Sequence, residues 1–329
     1  MNLLIYGAGA IGRGFIPWVF PPDEFKYQFV DIALSIPLKG YNTYRIKDDK
    51  YEELHIEPSH FREPDVTISA VGQRNFMYLS DKFKRYPVIC CENDSRLPDE
   101  MTYKNHNYNI FFAVPDVITS NTAPPELLNK DPLSIVTEDG VLYIDKRMSW
   151  LGGDAVYLDE KGMYREWKTK LYLHNTPHCI VAYLGYRDKC TYIHEAMSIS
   201  HIRETVERVI NETTQMIVNR YNIDPEFAKI YGKKEIKRFS NPMLYDPIKR
   251  VAREPLRKLA LDERLIGAAR LCIQSNITPI GIIEGIFAAL DYHEPSDPDY
   301  KGMKNIWICD LGLGDEPLTY LLDHFEEEL

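Results

Sequence analysis

The 329-residue chain has no long apolar run: its most apolar stretch, residues 277–290, is broken by Glu284. A membrane helix needs about 18 or more consecutive apolar residues, so a membrane-spanning role is not expected. Cysteine is sparse, with six residues, no CxxC pair and no dense framework. That argues against disulfide-built and zinc-ribbon folds and predicts reduced thiols in a cytoplasmic protein. Positive charge is in deficit, Lys plus Arg numbering 39 against 49 for Asp plus Glu, a net of −10. General binding to nucleic acid or to anionic membrane is not expected, because both need a large basic face. The opening MNLLIYGAGAIG has no basic segment ahead of an apolar one, so it does not read as a signal peptide. Internal repeats and low-complexity tracts are also missing. What is present is the composition of a globular chain, 44% hydrophobic and 27% charged, with a length that predicts about two domains.

Residues 2–6 (NLLIY) have the length and apolarity of a buried strand. They are followed at once by Gly7-Ala8-Gly9-Ala10-Ile11-Gly12 and then by the apolar stretch 15–20. In a strand–glycine–helix unit of this kind the first glycine makes the bend, the second lets the backbone approach a pyrophosphate, and the third allows helix and strand to pack closely. A second apolar run, 27–30, ends in Asp31, at the distance where an acid grips the adenosine ribose and disfavours a 2′-phosphate. The unit therefore predicts NAD binding through Gly7, Ala8, Gly9, Ala10, Ile11, Gly12 and Asp31. Pro17 falls inside the expected helix and should kink or shorten it.

Further strand-like runs lie at 66–71, 88–91 and 110–114. Residues 134–137 and 141–145, separated by Glu138-Asp139-Gly140, read as a hairpin with an Asp-Gly turn. From about Tyr164 the pattern becomes helical, as in 201–221, where Ile202, Val206, Val209, Ile210, Ile217 and Val218 recur on one side. The expected fold is α/β: a Rossmann-type doubly wound domain over residues 1–155, then a mostly α-helical domain over 156–329.

The second informative stretch is KLYLHNTPH, residues 170–178. At about 100° per residue, Lys170, His174 and His178 share one helix face and Asn175 lies beside it. Oxidation of an alcohol needs a base for the hydroxyl proton and donors for the developing oxyanion, which an amine, an amide and an imidazole can supply. The same spacing suits a solvated lysine beside satisfied histidines. It also suits an HxxxH metal pair, but there is no HExxH glutamate, cysteine pair or obvious third ligand, so no metal is expected.

Lys170-x4-Asn175-x2-His178 resembles the signature of the polyol-specific long-chain dehydrogenases, which are zinc-independent NAD-linked enzymes. The resemblance extends through GAGAIGRGFI (7–16), DVTISAVG (65–72), CCEN (90–93), DPL (131–133) with IDK (144–146), KLYLHNTPHCIVAYLG (170–185), RFSNP (238–242), RVAREPLRKL (250–259) and IIEGIFAAL (282–290). It implies that Lys170 is the general acid–base, that Asn175 polarises the carbonyl or steadies the alkoxide, and that His178 orients substrate hydroxyls and the lysine. It implies Val71 and Gly72 beside the cofactor, and Asn93 and Arg238 bordering the substrate. Asp116 is similar to the acid of the family's VDRI segment, although the local sequence here is AVPDVIT. Pro177 stands where relatives commonly carry glycine. The chain is also shorter than typical between Asp31 and Asp65 and around 105–110.

The resemblance implies a polyol phosphate and its ketose phosphate as substrates, with mannitol 1-phosphate and fructose 6-phosphate as the expected pair. The same chemistry on an unphosphorylated hexitol, a pentitol phosphate or a hexuronate stays open, as does a non-catalytic NAD-binding sensor. A monomer or weak dimer is expected by analogy. In 233–258 nine basic residues face three acids, a local +6 within an acidic chain, as a phosphorylated sugar would require.

Overall fold

A computed structural model describes residues 1–32, 40–77, 85–94, 96–104, 109–314 and 316–328. Two compact units result: Met1–Trp167 with Met243–Tyr245, and Lys168–Pro242 with Asp246–Leu329. The division falls later than 155/156 because Ala155–Leu158 forms a strand of the first unit's sheet.

In the first unit the strands are β1 (Asn2–Tyr6), β2 (Lys26–Val30), β3 (Tyr41–Lys47), β4 (Lys50–Ile56), β5 (Val66–Ser69), β6 (Val88–Cys90), β7 (Ile110–Asp116), β8 (Ile135–Glu138), β9 (Val141–Asp145) and β10 (Ala155–Leu158). Seven of them form one sheet in the order β10-β9-β7-β6-β5-β1-β2. The run from β2 to β7 is parallel, and β9 lies antiparallel to β7. Every residue of β5 and β6 is buried, which is why they read as continuous apolar runs rather than as alternating ones. The strand order reverses at β1, the switch point of a doubly wound sheet, where the loops after neighbouring strands splay apart.

A three-stranded sheet, β4-β3-β8, completes this unit. The hairpin expected across 134–145 does not form. β8 pairs in parallel with β3, and β9 pairs with β7 in the larger sheet. The chain turns away at Glu138, whose side chain accepts the Ile118 N–H at 2.5 Å. A Cβ on Gly140 would lie 2.5 Å from Val117, so the turn is wedged against the end of β7 and not against β8. The hairpin that does form joins β3 to β4 through Asp48 and Asp49, both at positive φ, a backbone that Asp tolerates better than most residues. Part of the shortened stretch at 105–110, residues 105–108, lies outside the described residues, as do residues 33–39 of 31–65.

The second unit is built from helices. Thr176–Arg187 is at its centre and is buried from Thr176 to Gly185. Around it lie Ile193–Met197, Ser200–Tyr221, Pro225–Phe239, Ile248–Ala252, Ile266–Gln274 and Ile280–Leu290. Gly285 brings Ile280–Leu290 against the central helix so closely that a Cβ would sit 2.4 Å from Ile180. No helix among the described residues is long and apolar enough to cross a membrane. Cys90, Cys91, Cys179 and Cys272 are buried free thiols, Cys190 is half-buried and Cys309 is exposed.

Candidate active site

The glycine turn follows β1 directly. Gly7 has φ +92°, and a Cβ there would lie 2.2 Å from the Ala70 carbonyl oxygen, so only glycine lets the β1 turn meet the loop after β5. A Cβ on Gly12 would lie 2.0 Å from the Gly7 oxygen, whereas one on Gly9 would meet nothing within 4 Å. The Ala8 N–H donates to Asp31 Oδ2 at 2.7 Å. Arg13 is buried and braces the turn from behind, donating to Ala8 O at 2.8 Å and to Leu133 O at 2.7 Å. Burial pulls its pKa below the ordinary arginine value, against the pull of Tyr41, Asp131 and Asp31.

Six residues of π-helix, Ala10–Phe15, run into four of α-helix, Ile16–Val19. The expected regular helix is therefore replaced by a short one. Ile16 donates back to Ile11 O, and Pro17 brings no N–H to the next rung, which favours the widened ladder.

Val71 and Gly72 follow β5. Their amides donate to Glu92 Oε1 and Oε2, each at 2.9 Å, and Ser69 Oγ donates to Oε1 at 2.9 Å. Burial raises the Glu92 pKa in spite of these three donors. Asn93 beside it is exposed, at the end of β6. Asp116 is buried at the end of β7. The glycine turn, Asp31, Val71, Gly72, Asn93 and Asp116 thus all lie at the carboxyl ends of parallel strands.

The second unit carries Lys170, Asn175, His178 and Arg238. Lys170–Asn175 is again a six-residue π-helix, followed by α-helix whose second residue is proline, here Pro177. The Thr176 N–H reaches back five residues to Leu171 O. The plain α-helical wheel expected for 170–178 therefore does not hold across this segment. Lys170, His174, Asn175 and His178 are all buried. The Asn175 amide nitrogen is buried with no hydrogen-bond partner among the described residues. Such a donor costs about 1–3 kcal/mol to bury and calls for an explanation.

The two histidines turn to different carboxylates. His174 Nδ1 is 2.6 Å from Glu235 Oε2, and the other oxygen of Glu235 accepts from Arg238. His178 Nε2 is 2.8 Å from Asp246 Oδ2, and Arg250 Nε donates to Asp246 Oδ1 at 2.9 Å. Burial alone would raise the Asp246 pKa, but Arg250 and His178 outweigh it and hold the carboxyl below its ordinary value. Phe239 stacks on the His178 ring at 5.0 Å between centroids. Each imidazole thus turns one ring nitrogen to a carboxylate that an arginine also engages. Among the described residues, no group of three or more His, Cys, Asp or Glu could hold a metal ion.

Glu92, Glu235, Asp246 and Arg13 were not singled out from the sequence. Glu235 and Asp246 stand 61 and 68 residues from the histidines they serve, so no local spacing signals them. The basic segment 233–258 also differs from expectation. Arg238, Lys249, Arg250 and Arg257 pair with Glu235, Glu294, Asp246 and Glu254. Lys258 is buried against the Val251 carbonyl. Lys233, Lys234 and Lys237 are exposed on the Pro225–Phe239 helix. Three of these acids, Glu235, Asp246 and Glu254, are the ones already deducted in the +6, so among these pairs only Lys249 with Glu294 offsets it from outside the segment.

A doubly wound sheet followed by a helical unit is a fold shared with solved mannitol and sorbitol dehydrogenases. The chain belongs to the mannitol dehydrogenase family: residues 164–306 match the family model "Mannitol dehydrogenase C-terminal domain". It is 31% identical to a mannitol-1-phosphate 5-dehydrogenase of Caldanaerobacter subterraneus subsp. tengcongensis, over 89% of this chain and 87% of the relative. A mannitol-1-phosphate 5-dehydrogenase of Thermoanaerobacter pseudethanolicus is 30% identical over 89% and 86%. Among solved structures, the Pseudomonas fluorescens mannitol 2-dehydrogenase ternary complex with NAD and D-mannitol shares the fold, with TM-score 0.72, 13% identity, and 96% of this chain and 84% of that one covered. A substrate-free D-sorbitol dehydrogenase gives TM-score 0.62 at 14% identity, covering 99% and 93%.

Proposed function

We propose that the protein interconverts a polyol phosphate and its ketose phosphate with NAD, mannitol 1-phosphate and fructose 6-phosphate being the pair. The reading is carried by the unpartnered Asn175 amide, buried in the π-helix that begins at Lys170. It leaves a donor in place for an oxygen that the protein itself does not supply.

The residues fit a dinucleotide. The open space at Gly9 lets phosphate oxygens approach the backbone, while Gly7 and Gly12 are fixed by packing. Asp31 would hold the adenosine ribose, and Val71 and Gly72 would border the cofactor. NAD, when bound, supplies the hydride acceptor. Lys170 takes the hydroxyl proton of the alcohol at its Nζ and returns it in the reverse direction. Asn175 donates its amide hydrogen to the same oxygen as negative charge develops. His178 orients the neighbouring substrate hydroxyl, and Arg238 borders the substrate.

The phosphate is favoured by the activity for which the relatives are named. The internal pairing of Arg238, Lys249, Arg250 and Arg257 favours a second reading, the same oxidation on an unphosphorylated hexitol. NADH formation with matched polyols and polyol phosphates separates them: kcat/KM at least tenfold higher for mannitol 1-phosphate than for mannitol is expected. Equal values would favour the second reading, and no turnover with any polyol would overturn both.

A further inference from the structure

We infer that Asp246 is a positioning residue that fixes the tautomer of His178, so that this imidazole presents Nδ1 as a hydrogen-bond acceptor. An ionised carboxylate can only accept. Both oxygens of Asp246 are engaged, Oδ1 by the Arg250 guanidinium and Oδ2 by His178 Nε2. The hydrogen in the His178–Asp246 contact therefore belongs to Nε2. In the neutral ring that leaves Nδ1 bare, as a carboxylate behind any imidazole dictates which nitrogen faces outward.

Rotation of the ring is blocked on two sides. Phe239 lies parallel to it at 5.0 Å, and the His174 ring is also 5.0 Å away. Asp246 is itself locked, since its carbonyl accepts the Ile193 N–H at 3.0 Å and the carboxyl is fully buried. His174 is treated differently: it offers Nδ1 to Glu235. The two imidazoles thus engage their carboxylates through opposite nitrogens, although they stand one turn apart.

The consequence bears on substrate class and rests on the function proposed above. A bare Nδ1 takes a hydrogen bond from a hydroxyl, while the Asn175 amide gives one to an oxygen. The pair suits a carbon chain bearing a free hydroxyl beside the reacting carbon. A substrate with only an acceptor at that neighbouring position would leave Nδ1 unmatched.

The test is 15N NMR of the full chain labelled in histidine, at a pH where the ring is neutral, with the His178 signals identified by their loss in His178→Gln. A proton on Nε2 and none on Nδ1 is expected, and a proton on Nδ1 in the unmodified protein overturns the inference. In Asp246→Asn the side chain can donate, so the tautomer should shift toward Nδ1–H and kcat should fall about 10- to 100-fold with NADH affinity retained. An Asp246→Asn protein that keeps both tautomer and kcat also overturns it. The wild-type spectrum needs neither the variant nor turnover, so failure of the polyol assay would sink the proposed function while leaving the tautomer assignment to stand or fall alone.

Discussion

The backbone N–H of Ala8 and the carboxylate of Asp31 are joined at 2.7 Å, so the acid that closes the second strand is tied to the turn that closes the first. In the function proposed above the same carboxylate also holds the adenosine ribose. Asp31→Ala should weaken NAD binding about 10- to 100-fold, since hydrogen bonds to a charged group are worth about 1.5–3 kcal/mol. The same change should raise NADP usage relative to NAD. Titration of NADH and NADPH fluorescence checks both, and an unchanged preference would remove Asp31 from the ribose.

The glycines of the turn differ in what they tolerate. Gly12→Ala places a methyl 2.0 Å from the Gly7 oxygen and should lower the melting midpoint by about 5 °C or more. Gly9→Ala meets no atom and should melt within about 2 °C of wild type, yet bind cofactor at least about tenfold more weakly because the methyl fills the approach. Melting curves with and without NAD separate the two effects. A Gly9→Ala protein with full affinity would mean that the pyrophosphate does not cross the turn.

Lys170 and Asn175 should fail in different ways. Lys170→Ala should lower kcat about 10²- to 10⁴-fold, the usual worth of a general acid–base, while NADH still binds. Asn175→Ala should lower kcat about 10²- to 10³-fold without lowering the melting midpoint, because it removes a donor that the fold leaves unpartnered. Marked thermal destabilisation of Asn175→Ala would assign the amide a structural duty.

Glu212 is buried and accepts the Gly281 and Ile282 N–H groups at 2.8 and 3.2 Å. Burial pushes its pKa up to about 7, with Glu284 adding and the two amides and Arg208 opposing. The unfolded chain releases this proton near the ordinary carboxyl value, about 4.3. Between there and about 7 the folded state therefore holds more protons, and stability falls as pH rises, by about 4 kcal/mol in all. Glu212→Gln should abolish that slope while giving up one amide hydrogen bond. Chemical denaturation at pH 5, 6 and 7.5 reads it, and parallel curves for the two proteins would refute it.

How much of this was readable in the sequence depended on distance along the chain. The glycine turn, Asp31 and the buried strands β5 and β6 announce themselves within a few residues of one another. The pairing of β8 with β3 instead of β9 does not, because Glu138-Asp139-Gly140 carries an ordinary hairpin signal and only the Glu138 bond to Ile118 and the Gly140 contact with Val117 override it. The β3–β4 hairpin was missed because its turn is Asp48-Asp49 and its second strand is mostly polar and half exposed. Lys170, Asn175 and His178 were legible as a motif. Their carboxylate partners were not, since each lies on another helix or loop.

Pro17 and Pro177 each sit two residues past a six-residue π-helix. A π segment holds one residue more than the α-helical path it replaces. Removing any single residue from 171–174 would let the ladder close to ordinary pitch and swing everything before it by about 100° relative to His178. Lys170 would then change its orientation relative to His178 while Lys170, Asn175 and His178 all remained in the sequence. In the function proposed above, spacing in this motif is thus as much a part of the active centre as residue identity, and length variation here would silence the site more surely than many substitutions.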